Sequence, residues 1–221
     1  MSEQPKSAPG AEREHTFLYG LARVVAVTYS DVFRKVRFTG RERLRSLKGP
    51  AIILANHRSM ADVFPIGSSS PYEIRFLGKR ELAAGKLGAF LFRHLHMIPV
   101  SRHETDMSAM RACVKALKEG DMLCIFPEGT RCPDTLMEHV ETGAALIALR
   151  SAAPLIPVYI NSKPRLFRRT RMRVGQMIEY GDLRAEGISS ETAEKLTERI
   201  RETFFRLRDE DEKENSRGKQ G

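Results

Sequence analysis

Residues 51–62 read AIILANHRSMAD, an apolar run followed at once by a cluster of polar side chains. The run Ala51–Ala55 predicts a buried strand, because it carries no polar side chain over the length of a strand. His57 and Asp62 then follow the end of that strand. A histidine held at a strand end, with a carboxylate near enough to fix its tautomer, is the minimum arrangement for removing a proton from an alcohol. This stretch therefore predicts both a strand of the core and a candidate catalytic base.

The spacing between His57 and Asp62 places a condition on the backbone. On an ideal helix, two residues five positions apart point roughly 140° away from each other. The pair can meet only if His57 lies on the turn after the strand and Asp62 lies at the start of the next helix. A structural histidine beside a helix-capping aspartate is the alternative that the spacing alone leaves open.

Apolar runs and helix-like patterns alternate along the rest of the chain. Such alternation predicts an α/β fold, a single domain with a mostly parallel mixed sheet flanked by helices. The predicted strands cover residues 36–40, 51–55, 74–77, 97–100, 122–126, 154–160 and 171–178. The predicted helices cover residues 62–68 (capped by Asp62), 82–95, 105–119 (capped by Thr105), 136–150 and 190–207.

The two ends of the chain differ from its middle. The first residues are polar, and the last are so densely charged that they are expected to fray. The predicted boundaries are a flexible leader at 1–15, one domain at 16–207 with a motif core at 35–180, and a charged tail at 208–221.

An amphipathic helix is predicted at residues 17–34, with Phe17, Leu21 and Val24 on one apolar stripe. Two placements stay open for it. The helix either docks on the core, which is slightly favoured, or lies among lipid headgroups, a placement that gains support from the basic residues that follow it.

The composition limits the classes of protein. The chain has 221 residues, 41% of them hydrophobic, which is enough to build a folded core. The net charge of +9 invites an acidic partner, and nucleic acid, an anionic membrane or a phosphorylated substrate would each satisfy it. The three cysteines lack CxxC spacing and predict free thiols in a reducing cytosol. The sequence shows no signal pattern and no apolar stretch of about 18 residues, so any membrane contact is expected from one side.

A second run with unusual composition, Phe126–Arg131, reads FPEGTR and also follows an apolar strand. Pro127 fixes its own φ and removes a hydrogen-bond donor where the strand ends. Gly129 permits close backbone approach or a positive φ. Glu128 and Arg131 bring opposite charges to the same turn, either paired with each other or available to a ligand. Ligands of open α/β sheets bind at such strand ends.

These runs resemble the 1-acylglycerol-3-phosphate acyltransferase family of lipid acyltransferases over roughly residues 35–180. His57 and Asp62 match its HxxxxD motif, and Phe126–Arg131 matches its third block residue for residue. Residues 98–102 are similar to its second block, and residues 154–158 resemble its fourth, apolar block. Two departures are His96, where the family often has a small residue, and Cys132, where a serine is common.

The resemblance implies transfer of a fatty acyl group from a thioester, acyl-CoA or acyl-acyl carrier protein, to the hydroxyl of 1-acylglycerol-3-phosphate, which gives phosphatidic acid. His57 would be the general base and Asp62 would hold its tautomer, with direct transfer instead of an acyl-enzyme. No metal or cofactor is expected. The candidate substrate-binding residues are Arg102 and Arg131 for the phosphate, Glu128, Gly129 and Thr130 of the third block, and Lys79.

The basic segment Lys163–Arg173 carries six cations and no acid. It predicts either a solvated loop or contact with anionic lipid or with the phosphates of the acyl donor, and with it a cytoplasmic protein bound peripherally to the cytoplasmic face of a membrane.

Three alternative functions stay open. The first is a different lyso-lipid acceptor, a lysophospholipid or a lyso-aminolipid. The second is a basic nucleic-acid-binding protein, which the absence of tryptophan and of a binding motif disfavours. The third is a catalytically inactive protein of the same fold, which the presence of both His57 and Asp62 disfavours.

Overall fold

The computed structural model describes residues 35–101, 106–161 and 170–217, together with residues 20, 24, 27, 28 and 30. The leader 1–15, most of the predicted helix at 17–34, Arg102, Thr105 and most of the basic segment 163–173 lie outside the described residues. The strands are β1 Arg37–Thr39, β2 Ala51–Ala55, β3 Ile74–Lys79, β4 Ile98–Val100, β5 Met122–Ile125, β6 Leu155–Ile160 and β7 Arg171–Val174. The α-helices are α1 Arg41–Arg45, α2 Val63–Gly67, α3 Gly85–His94, α4 Met107–Lys118, α5 Gly143–Ser151, α6 Gly181–Glu186 and α7 Ser190–Arg217.

The strands form one sheet in the order β1-β7-β6-β2-β5-β3-β4. Every pair is parallel except β6 with β7, so the predicted mostly parallel mixed sheet is confirmed. The strand β2 pairs with β5 on one side and β6 on the other, and all five of its residues are fully buried. Its carboxyl end therefore lies at the middle of the sheet, where His57 follows it.

Helices cover both faces of the sheet, as the unbroken apolar strands require. On one face, Ile52 and Leu54 pack in a cluster that includes Leu117 of α4, Leu149 of α5 and Phe204 of α7. On the opposite face, Ile53 packs in a second cluster with Leu44 of α1 and Ile66 of α2. None of the helices in the described ranges combines the length and apolarity needed to cross a membrane.

The helix predicted at 136–150 begins seven residues later, at Gly143. The preceding segment is held out of helical geometry, because the Met137 N–H donates to Glu128 Oε1 at 2.9 Å and the Glu141 N–H donates to Pro127 O at 2.7 Å. Met137 itself has a φ of 51°, which no α-helix accommodates. The prediction of helix before Gly143 was therefore wrong.

Two predicted helix caps differ in detail. Asp62 stands at the N-cap position of α2, as predicted, but its side chain makes no capping hydrogen bond to that helix. Its carboxylate instead accepts from the Ser59 N–H, in a capping box with Ser59 at the start of the 3₁₀ turn Met60–Asp62. The helix predicted from Thr105 begins at Met107, and Asp106 caps it with its carboxylate.

The last helix does not end at 207. Helix α7 continues to Arg217, through most of the predicted charged tail. Asp211 explains the extension, because it is buried and accepts hydrogen bonds from Arg171 Nε and Nη2 of β7, at 3.0 Å and 2.7 Å from its Oδ2. The charge-rich end of the chain is helical here because the Asp211 carboxylate binds the Arg171 guanidinium of β7.

Candidate active site

His57 and Asp62 lie together on the turn that leaves β2. His57 Nδ1 is 3.3 Å from Asp62 Oδ2, and the aspartate is fully buried. The same Oδ2 accepts the backbone N–H groups of Arg58 at 2.8 Å and Ser59 at 2.6 Å. The turn, not a helix, brings the side chains together, as the sequence required. A neutral imidazole that carries its proton on Nδ1, toward the carboxylate, would leave Nε2 free to accept a proton.

Two neighbours fix the orientation of His57. The Phe126 ring stacks on the imidazole, with ring centroids 4.0 Å apart and an angle of 22° between the planes. On the other side of the turn, the Asn56 amide donates to Ile160 O at 3.0 Å and accepts from Ile160 N at 2.7 Å. Both bonds tie the turn to the end of β6, so the base starts from a fixed backbone.

Glu128 is bound to the backbone of two separate segments. Its Oε2 accepts from the His57 N–H at 2.7 Å, its Oε1 accepts from the Met137 N–H, and the residue is 1% exposed. Burial raises the pKa of this carboxyl, and the two backbone hydrogen bonds oppose the rise. Its predicted role in holding a substrate stays a prediction, whereas its contacts are those of a group that positions the backbone of His57.

Arg58 is a site residue that the sequence analysis missed. Its guanidinium is buried between the catalytic turn and the chain after Phe126–Arg131, where it donates to the carbonyls of Cys132 and Pro133. A position directly after a buried strand was the available signal, because a cation there must find acceptors. Arginine is common on surfaces, so the residue type alone did not indicate a buried side chain at this position.

A cavity of 480 Å³ opens beside His57. Its apolar wall includes Met110, Cys113, Leu146 and Ile147, from helices α4 and α5. Burial raises the pKa of the Cys113 thiol to about 12, so the thiol stays protonated near neutral pH. The cavity thus places a base beside an apolar space.

The other predicted substrate residues lie at different distances from this cavity. Lys79, Gly129 and Thr130 line it together with His57 and Glu128, whereas Arg131 is exposed one residue beyond the lining segment. Gly129 has a φ of 64° and its own N–H donates to Phe126 O at 3.0 Å. The glycine is needed for this turn, and its amide is already used within it.

Asp106 also lines the cavity and was not predicted as a site residue. It accepts from the Ser101 N–H at 2.9 Å and from the Ala109 N–H at 2.9 Å, and so connects the end of β4 to the start of α4. The Ser108 hydroxyl, followed by these amides, holds the pKa of this carboxyl well below its usual range. Its charge is thus maintained at the cavity wall.

Comparison with known proteins identifies the family. The Acyltransferase family model matches residues 35–161. The chain is 31% identical to the 1-acyl-sn-glycerol-3-phosphate acyltransferase of Bacillus subtilis (strain 168), over 71% of this chain and 82% of that protein. It is 27% identical to the enzyme of the same name from Streptococcus pneumoniae, over 93% of this chain and 77% of that protein.

A solved structure shares the fold. The 1-acyl-sn-glycerophosphate acyltransferase of Thermotoga maritima superposes with a TM-score of 0.61 at 24% sequence identity, covering 79% of this chain and 71% of that one. Since the family model spans more than half of the chain and the described HxxxxD turn falls inside the match, the chain belongs to the Acyltransferase family.

Proposed function

We propose that the protein transfers a fatty acyl group from an acyl thioester to the hydroxyl of 1-acylglycerol-3-phosphate, giving phosphatidic acid. The observation that carries this proposal is the contact of His57 Nδ1 with the buried Asp62 at the wall of a largely apolar cavity. Similarity to the 1-acyl-sn-glycerol-3-phosphate acyltransferases of Bacillus subtilis and Streptococcus pneumoniae supports the choice of acceptor.

In the proposed reaction His57 acts as the general base. Its Nε2 takes the proton of the acceptor hydroxyl as the oxygen attacks the thioester carbonyl carbon, a contribution of typically about 10²–10⁴-fold. Asp62 stabilises the imidazolium that forms. The tetrahedral intermediate then collapses, the carbon–sulfur bond breaks, and the proton on Nε2 goes to the departing thiolate. One proton leaves the hydroxyl and one reaches the thiolate, so the reaction needs no other acid.

The developing oxyanion needs a donor at the cavity wall. Because the Gly129 N–H is bound to Phe126 O, we assign this role to the amide of Thr130, the next residue of the same turn. Lys79 at the cavity, with Arg102 and Arg131, would hold the acceptor phosphate, since ammonium and guanidinium groups both bind phosphate.

Direct transfer is proposed over an acyl-enzyme route. Cys113, the cysteine among the cavity-lining residues, is a protonated thiol near neutral pH because its pKa is raised to about 12, and a thiol is a poor nucleophile. The apolar wall that surrounds it, including Met110 and Ile147, would accommodate the acyl chain. Both acyl-CoA and acyl-acyl carrier protein are candidate donors.

Acyl transfer to a panel of acceptors tests the proposal. The purified protein is incubated with acyl-CoA or acyl-acyl carrier protein and with lysophosphatidate, or with lysophospholipids that carry choline, ethanolamine or glycerol on the phosphate. We expect the highest kcat/KM with lysophosphatidate, because only its phosphate is a free monoester for the cations to bind. Preferred use of another lyso-lipid would replace the proposed acceptor, and no transfer to any acceptor would overturn the proposed function.

We also propose that the protein works on the cytoplasmic surface of a membrane that contains anionic lipid. Vesicle flotation tests this placement with a triple Gln variant of Lys163, Arg165 and Arg168, which should float less with anionic vesicles than wild type. The matched control replaces three exposed cations of α4, Arg111, Lys115 and Lys118, with Gln. Equal flotation of the two triple variants would mean that net charge, not the 163–173 segment, drives binding.

A further inference from the structure

Arg58 makes an unusual number of long-range hydrogen bonds for one side chain. It is 7% exposed, and its Nη1, which carries two N–H groups, lies within hydrogen-bonding distance of three carbonyl oxygens: Cys132 O at 2.9 Å, Pro133 O at 3.2 Å and Thr135 O at 2.5 Å. Its Nε points to Ile160 O at 3.4 Å. A single guanidinium thus satisfies carbonyls from a segment more than seventy residues away in the chain.

The segment that Arg58 contacts, residues 130–137, contains no helix or strand. Its backbone polar groups must therefore find partners outside regular secondary structure. Two further bonds connect it to the same place, since the Cys132 N–H donates to His57 O at 2.8 Å and the Met137 N–H donates to Glu128 Oε1. These bonds attach the 130–137 segment to the catalytic turn and to Glu128.

We propose that Arg58 is a positioning residue that fixes the 130–137 segment on the catalytic turn. The consequence for the site is that Gly129 and Thr130, which line the cavity and lead into this segment, stay in place opposite His57. As far as the reaction is concerned, this inference rests on the proposed function. Its claim about the segment stands on the hydrogen bonds alone.

The chemistry of arginine explains why the position needs this side chain. A guanidinium presents five N–H donors in a flat, rigid fork, so it can serve several carbonyls at once. Lysine offers three N–H donors on one nitrogen, so it can serve carbonyls around the Nη1 position but has no second donor group for Ile160 O. Methionine fills a similar volume and offers no donor, so it leaves the buried carbonyls unpaired.

Limited proteolysis reports directly on the segment, because the exposed Arg131 is a trypsin site next to its start. We expect trypsin to cut after Arg131 about tenfold faster in Arg58→Met than in wild type, with Arg58→Lys between them, since cleavage follows the population of the open segment. The matched control is Arg75→Met. Arg75 is also a partly buried arginine, 2.8 Å from Asp121, but it lies at the end of β3 away from Lys79 and the cavity.

Kinetics with acyl thioester and lysophosphatidate provide the second measurement. Because small displacements of binding groups carry large rate penalties, we expect kcat/KM to fall about 10–100-fold in Arg58→Met and to recover partly in Arg58→Lys. Arg75→Met should stay within about threefold of wild type even at a matched loss of thermal stability, since the lost contact is remote from the site.

The outcomes separate the two proposals. Cleavage after Arg131 that is no faster in Arg58→Met than in Arg75→Met overturns the positioning role. If Arg58→Met does not fold, Arg58→Lys is compared with Arg75→Lys by the same criterion. Proteolysis needs no substrate, so faster cleavage together with an inactive wild type would remove the proposed function and leave the role of Arg58 established.

Discussion

Replacing His57 with alanine is expected to lower kcat for acyl transfer by about 10²–10⁴-fold, the usual contribution of a general base. The turn and the stacked Phe126 ring fix the imidazole at the cavity, so alanine removes the group that would accept the proton from the acceptor hydroxyl. KM should change little, since the imidazole acts on the proton and not on the phosphate or the acyl chain. Single-turnover and steady-state rates with lysophosphatidate would measure the loss.

A second histidine provides the control for that variant. His96 Nδ1 lies 2.5 Å from Glu73 Oε1, and His96 is not among the cavity-lining residues. Its φ of 46° is better tolerated by asparagine than by alanine, so His96→Asn is the appropriate substitution. We expect its kcat to remain within about threefold of wild type. A His57→Ala protein that keeps more than a tenth of wild-type kcat would rule out His57 as the base.

Replacing Glu128 with glutamine is expected to lower kcat/KM by about 10–100-fold. Glutamine has the same shape but only one acceptor oxygen, so one of the N–H groups of His57 and Met137 would face an amide NH₂ instead of an oxygen. Folding should suffer less than activity, because burial raises the pKa of Glu128 and the neutral amide avoids that desolvation cost. Thermal unfolding and kinetics on the same preparation would compare the two effects.

Glu138 provides the matched substitution for Glu128. It carries the same carboxylate one residue after Met137 and is exposed to solvent. Glu138→Gln should leave both activity and thermal stability near wild type, since surface substitutions of this kind change stability by about 0.5 kcal/mol or less. Equal activity loss in the two variants would show that the charge of this region matters, and that the backbone contacts of Glu128 do not.

The sequence was sufficient to predict the middle of the sheet because its central strands β2 and β5 are apolar and unbroken. Ala51–Ala55, for example, has one plausible environment, and the structure places it between β5 and β6. The pairing of His57 with Asp62 could be stated as a geometric condition, because a helix excludes it and a turn allows it. The apolar pattern was enough to predict the strand, and helix stereochemistry was enough to predict that His57 and Asp62 meet on a turn.

The residues around the pair could not be predicted in the same way. Glu128 binds the His57 amide 71 positions away, and Arg58 binds the Cys132 carbonyl 74 positions away. No local pattern encodes which carbonyl a buried guanidinium reaches. The helix expected at 136–150 starts late for a related reason, since the Glu128 carboxylate binds the Met137 amide and overrides the local helix propensity of residues 136–142. The roles of Lys79, Thr130 and Arg131 as substrate ligands stay predictions.

The pairing of Asn56 with Ile160 has a consequence for the order in which the protein becomes active. Its two hydrogen bonds join residues separated by 104 positions, and they anchor the turn that carries the base. During synthesis the His57 turn therefore stays unanchored until β6 has left the ribosome, because contacts of high sequence separation form only after the intervening chain exists. These two bonds can form only after Ile160 has emerged, so a ribosome-bound chain that stops before Ile160 should have no acyltransferase activity.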